Sequence, residues 1–139
     1  VLGGVVFDGQ GLTGHSDADV VAHAVTDALL GAAGLGDIGQ RYPDTDPAHA
    51  GADSMGLLAD SVAAVWADGW EVANVDCTVV LEAPRLASRR TEMQEALAGV
   101  VGAAVTVKGK RAEGLGAIGR EEGVACFAVA LLTRPGAPS

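Results

Sequence analysis

The stretch "GHSDADVVAHAVTDALL", residues 14 to 30, carries two patterns at once. Val20, Val21, Ala24, Val25, Ala28 and Leu29 recur at helical spacing, which predicts a helix from residue 16 to about 32 with one apolar side. Ser16 followed by Asp19 is a capping-box-like start. Asp19, His23 and Asp27 stand at four-residue steps and line another face. On periodicity alone, that row is a solvated face. It can also be part of a metal and phosphate site, because imidazole suits Zn²⁺ and carboxylates suit harder ions. The free N–H groups of the helix start at His15 and Ser16 would then seat a phosphate. A tetrahedral catalytic Zn²⁺ wants three protein ligands, and this helix supplies one good one.

Working outward, residues 1–7 read as a short strand broken by Gly3-Gly4, followed by a turn at 8–11. Residues 34–47 read as a polar loop. A second helix is expected over 53–68, with Leu57, Leu58, Val62 and Val65 on one side and Gly69 as its stop. Residues 72–81 read as a strand, about 88–100 as a third helix, and 104–107 and 124–132 as strands flanking a Gly-rich connection. Residues 133–139 read as a fraying tail. This order predicts an α/β fold (an α+β sandwich) over residues 1–139, a single domain with a mixed, four-stranded type of sheet and helices on one face.

The chain has 139 residues, 49% of them hydrophobic but only 4% aromatic, so the core must be built from Ala, Val and Leu. The net charge of −9 argues against a nucleic-acid partner, which would want a basic face. Yet four of the nine Lys and Arg residues, namely Lys108, Lys110, Arg111 and Arg120, fall within one short segment, so an anionic ligand is not excluded. Cys77 and Cys126 form no CxxC and sit in apolar runs, which reads as two small core residues in a reducing compartment. No apolar run is long enough for a bilayer and no signal-peptide pattern is present, so a soluble, cytoplasmic bacterial protein is expected. The chain starts at Val1 without Met, inside what reads as a strand, and an upstream segment is expected.

Three further stretches could carry chemistry. In "LGDIGQRYPDTDP" (35–47), Asp37 lies between Gly36 and Gly39, and Asp44 and Asp46 surround Thr45 between two prolines. That is an Asx-turn loop, or a set of acceptors for polyol hydroxyls. "LEAPRLA" (81–87) is a plain connector, or a turn whose main chain could hydrogen-bond a planar heterocycle. "VKGKRAEGLGAIGREEG" (107–123) is a solvated glycine hairpin, or a seat for a diphosphate beside a divalent cation with Glu113 as the carboxylate. It is not a Walker loop. The residues by themselves leave a metal-dependent phosphoesterase open.

Taken together, "GHSDADVVAHAVTDALLGAAGLGDIG", "YPDTDP", "GADS", "NVDCTVVLEAPRL" and "GREEGVAC" resemble the 2-C-methyl-D-erythritol 2,4-cyclodiphosphate synthase family of the non-mevalonate isoprenoid pathway, from about residue 2 to residue 132. The resemblance implies a phosphorus–oxygen lyase that cyclises 4-diphosphocytidyl-2-C-methyl-D-erythritol 2-phosphate and releases CMP. It implies a homotrimer with active sites between subunits, a Zn²⁺-type ion, and a Mg²⁺ or Mn²⁺ ion. His23 matches the Zn-type ligand, and Glu113 the carboxylate of the second metal. His15 and Ser16 match the substrate-binding pair, with His15 stabilising the transition state. Asp37, Ile38 and Gly39 match a substrate-binding motif. Tyr42, Pro43, Asp44, Thr45 and Asp46 match a flexible substrate loop. Leu81, Glu82, Ala83, Pro84, Arg85, Leu86 and Ala87 match the cytosine pocket. Asp19 and Asp27 fall on the polar helix face, where they are expected to orient the ligands.

The chain departs from the family pattern in three places. The Asp-x-His that completes the Zn²⁺ site in the family is expected shortly upstream of Val1. Gly109, Lys110, Arg111, Ala112 and Glu113 stand where the family commonly reads Ala-Thr-Thr-Thr-Glu, so Arg111 is expected to take over charge neutralisation at the phosphates as a catalytic group, with altered contacts. Ala117 stands where a bulky aromatic often lines the trimer-axis cavity, while Arg120 matches a residue that faces a diphosphate there. A homologue that binds nucleotides or isoprenoid diphosphates without cyclising is the rival within the family.

Overall fold

The computed structural model describes residues 1–7, 19–43, 53–83 and 85–136. In chain order the elements are α1 (Val20–Ala33), α2 (Ile38–Arg41), α3 (Ser54–Ala67), β1 (Glu71–Val80), α4 (Arg90–Val101), β2 (Ala104–Lys110), α5 (Gly116–Gly119) and β3 (Ala125–Thr133). The sheet order is β2-β1-β3. β2 runs parallel to β1, with α4 as the crossover, and β3 runs antiparallel to it. The sheet is therefore mixed, as expected, but among the described residues it has three strands rather than the expected four.

Register fixes which side of the sheet is the core. Val75 pairs with Val105 and Ala130, and Cys77 with Val107 and Ala128. Val75, Cys77, Val79, Val105 and Val107 are all buried. The next residue along each strand points the other way. The helices cover only the inner row: Val21, Val25 and Leu29 of α1, Leu58, Val62 and Val65 of α3, and Met93, Leu97 and Val101 of α4 join the strand residues in one apolar cluster. On the opposite face, Phe127, Val129 and Leu131 of β3 are 67%, 72% and 58% exposed. Of the two cysteines, Cys77 is buried and Cys126 is half-buried, and both are free thiols.

The N-terminal reading needs correction. Residues 1–7 form no strand. Gly3 and Gly4 both have positive φ (57° and 77°), which reverses the chain, so Leu2 and Val5 make only an isolated bridge to each other. Two successive left-handed residues form a tight turn that favours glycine. Asp19 holds this turn in place. Its carboxylate accepts from Gly3 N at 2.8 Å and Gly4 N at 2.7 Å, and it also caps α1 by accepting from Val21 N and Ala22 N at 3.1 and 3.0 Å. The N-cap of α1 is therefore Asp19 rather than Ser16, and residues 16–18 lie outside the described part. Asp19 is 1% exposed, so it does not belong to a wet face.

Two short helices also replace expected irregular chain. α2 lies within the 34–47 loop, started by Asp37, which accepts from Gln40 N at 2.8 Å. α5 lies in the Gly-rich connection, and β2 continues to Lys110, three residues beyond the expected 107. Gly119 packs so closely on Gly114 that a Cβ there would sit 2.2 Å from the Gly114 carbonyl carbon, so this turn closes only with glycine.

Candidate active site

The parallel pair β1 and β2 ends side by side at Val80 and Lys110. Open sheets place ligands beyond the carboxyl ends of parallel strands. At that end lies a cavity of about 130 Å³ lined by Leu81, Glu82, Arg85, Leu86, Ala87, Arg90, Gly109, Lys110 and Arg111. It unites the turn after β1 with the segment after β2. Leu81 and Leu86 are buried and supply apolar wall. Arg85, Arg90, Lys110 and Arg111 supply four cations against the single carboxylate of Glu82. A recess of that size holds no more than a planar ring, and the cations around it suit a phosphate attached to that ring.

An ion pair ties the two segments together. Arg111 Nη2 donates to Glu82 Oε1 at 3.0 Å, with the Arg side chain 56% and the Glu side chain 13% exposed. Glu82 Oε2 is buried and has no hydrogen-bond partner among the described residues. Desolvation pushes the Glu82 carboxyl up. The Arg111 hydrogen bond, with the backbone N–H groups of Gly114 and Ala112, outweighs it and holds the group below the usual carboxylate value. Glu113, next to this turn, is exposed and takes a left-handed φ of 55°.

The α1 side carries the other expected residues. Ser54 Oγ at the start of α3 lies 3.0 Å from His23 Nε2, which fixes the ring between two helices. Asp27 Oδ1 accepts from Ile38 N at 2.9 Å and so seats the start of α2 against α1. Asp19 and Asp27 thus bind backbone amides and place chain segments, with no hydrogen bond to His23 among the described residues. Asp37 and Gly39 are exposed and Ile38 is half-buried around the start of α2. Tyr42 is not exposed. The residue is 7% accessible, and its hydroxyl donates to Asp60 and lies 2.9 Å from Ser61 Oγ. It anchors the chain entering the 43–46 stretch, and Pro43 follows it at the surface. Ala117 and Arg120 are exposed around α5, where Arg120 pairs with Glu122 at 2.6 Å. His15, Ser16, Asp44, Thr45, Asp46 and Pro84 lie outside the described residues.

The fit to a metal is partial. His23 offers a nitrogen and Glu113 an oxygen, but no three His, Cys, Asp or Glu side chains gather around one point among the described residues. An ion at His23 would take its remaining ligands from outside them.

A larger cavity, about 490 Å³, lies at the opposite end of β1 between Trp66, Trp70, Glu71, Gly102 and Pro135. None of the expected site residues lines it, so size does not mark the chemistry here. Sequence reasoning missed Arg90, the Glu82–Arg111 pair and the Ser54–His23 contact. Glu82 and Arg111 are 29 residues apart, and only the pairing of β1 with β2 brings them together.

Fold and site define a compact class: a mixed α/β sheet with a cation-lined cavity where its parallel pair ends. Residues 1–133 match the YgbB family, and the chain belongs to that family. It is 54% identical to a 2-C-methyl-D-erythritol 2,4-cyclodiphosphate synthase of Bordetella petrii over 96% of this chain and 85% of that protein. It is also 54% identical to a bifunctional enzyme IspD/IspF of Anaeromyxobacter dehalogenans over 96% of this chain, which spans only 36% of that longer protein. Among solved structures, the Plasmodium falciparum IspF CDP complex superposes with a TM-score of 0.83 at 30% identity, covering 96% of this chain and 82% of that one.

Proposed function

We propose that this chain cyclises 4-diphosphocytidyl-2-C-methyl-D-erythritol 2-phosphate to 2-C-methyl-D-erythritol 2,4-cyclodiphosphate and releases CMP, as an isoprenoid-precursor enzyme. The observation that carries it is the cavity at the ends of β1 and β2, where a base-sized recess meets Lys110 and Arg111. A relative of this fold was solved with CDP.

In this reading the cytosine lies against Leu81, Leu86 and Ala87, and the diphosphate points towards Lys110 and Arg111. An oxygen of the 2-phosphate attacks the β-phosphorus. The bond from that phosphorus to the bridging oxygen breaks, and CMP leaves with the bridging oxygen and its electron pair. The protein's task is to hold both phosphates in line and to neutralise the charge spread over their oxygens. Arg111 does this as a planar donor in place of a hydroxyl. His15 and Ser16 would face the 2-phosphate, with Asp37, Ile38, Gly39, Pro43, Asp44, Thr45 and Asp46 around the polyol. Divalent metal belongs to the proposal, with His23 and Glu113 as one ligand each, and it would supply phosphate neutralisation.

A homotrimer is part of the same proposal. Phe127, Val129 and Leu131 present an apolar stripe on the face the helices leave open, and such stripes mark contact with another chain. α1, which carries His23, packs on β3 and β1, whereas the cavity lies at the β1–β2 end. A site shared between neighbouring subunits joins the two halves.

The test is CMP release from the cytidyl substrate with Mg²⁺, run on wild type and Arg111→Ala. Turnover by wild type with a loss of roughly 100-fold or more in the variant, the scale for removing one transition-state donor, is the expected result. Unchanged turnover in Arg111→Ala removes that residue from the mechanism. No release by wild type favours the binding-only homologue.

A further inference from the structure

Arg111 is useful to a phosphate only if its guanidinium is held in place. It stands 56% exposed at the end of β2, where a free arginine would sample many rotamers. Glu82 removes that freedom. Its Oε1 takes one donor of Nη2 at 3.0 Å, and the other guanidinium donors keep a fixed direction. Its second oxygen, Oε2, is buried without a hydrogen-bond partner among the described residues, so the bond to Arg111 is the side-chain contact that engages this carboxylate. Glu82 itself cannot wander, because it is 13% exposed and follows directly from buried Leu81. Leu81 N is in turn bound to Lys110 O at 3.0 Å.

We infer that Glu82 is a positioning residue that couples the base recess to the phosphate-facing cation: it fixes Arg111 so that a nucleotide seated by its ring finds its phosphates already opposed by the guanidinium. The inference rests on the nucleotide reading of the cavity. Glu82 lies in the base turn but acts on the phosphates through Arg111, and its contribution is a difference between ligands with and without phosphate.

The experiment compares cytidine and CDP binding by calorimetry in wild type, Glu82→Gln, Glu82→Ala, Arg111→Ala and the double variant Glu82→Ala/Arg111→Ala. Wild type should bind CDP much more tightly than cytidine. Glu82→Ala should cut the ratio of CDP to cytidine affinity about tenfold, a typical loss for a charge-assisted contact. Glu82→Gln, which keeps an oxygen for Arg111, should restore part of that advantage. The double variant should lose no more than Arg111→Ala alone, because the two act as one unit. An unchanged CDP advantage in Glu82→Ala overturns the inference, and so does a parallel loss for both ligands, which would mark a merely structural residue. If wild type binds neither cytidine nor CDP, the nucleotide reading itself falls, and the inference with it.

Discussion

Replacing Asp19 by Ala removes four backbone hydrogen bonds at once. Two of them cap α1 and two hold the Gly3-Gly4 turn against it. Loss of an N-cap side chain costs about 0.5–2 kcal/mol. Each bond to a charged acceptor contributes about 1.5–3 kcal/mol, and water can replace part of that at the half-buried Gly4 contact. With the Gly4 bond counted at about half, the sum for Asp19→Ala is about 3–6 kcal/mol, a large share of a typical domain's ~5–15 kcal/mol. Asp19→Asn can keep the oxygen that takes three of the four N–H groups and points its NH₂ only at Gly4 N, so a loss well below that of Asp19→Ala is expected. Urea unfolding at one fixed protein concentration measures both, since assembly makes the midpoint concentration-dependent. A loss below about 1 kcal/mol in Asp19→Ala would refute the structural role assigned to this carboxylate.

Tyr42→Phe should cost about 1–2 kcal/mol at neutral pH, because it strips a partner from buried Ser61 and from Asp60. Burial, aided by the bond to Asp60, raises the Tyr42 phenol above its usual value. A raised folded pKa gives stability that is complete below the unfolded value of about 10 and is lost as pH rises through the folded value. The alkaline fall in stability should therefore be shallower in Tyr42→Phe, and equal slopes for the two proteins would contradict the burial argument. Val129→Glu puts a second carboxylate opposite Asp76 on the open sheet face, where Asp76 already pairs with Lys108 at 2.9 Å. Sedimentation should show a trimer for wild type and smaller species for the variant; a monomeric wild type would remove the trimer from the account.

Periodicity made α1, α3, α4, β1 and β3 legible, since each buries one regular stripe of a long element. It failed where local chemistry overrides it. The apolar residues of 1–7 suggested a strand, but two adjacent glycines turned the chain back on itself. α2 and α5 are four residues long, too short to show a period. Asp19 reads as part of a polar row because spacing cannot reveal that two distant glycine N–H groups meet it. Within the site, Leu81–Ala87 and Lys110–Arg111 were placed through family resemblance, and the pairing of β1 with β2 supplies the physical reason they meet. Arg90 enters that cavity from the first turn of α4, a juxtaposition that no local pattern announces.

The central claim is ring closure rather than hydrolysis, and the identity of the product decides it. Phosphorus NMR of the reaction of the full chain with 4-diphosphocytidyl-2-C-methyl-D-erythritol 2-phosphate and Mg²⁺ should show CMP together with a cyclic diphosphate in equal amounts. CMP with a linear bisphosphate, marked by oxygen taken up from labelled water, would contradict the account and assign the chain to metal-dependent phosphoester hydrolysis.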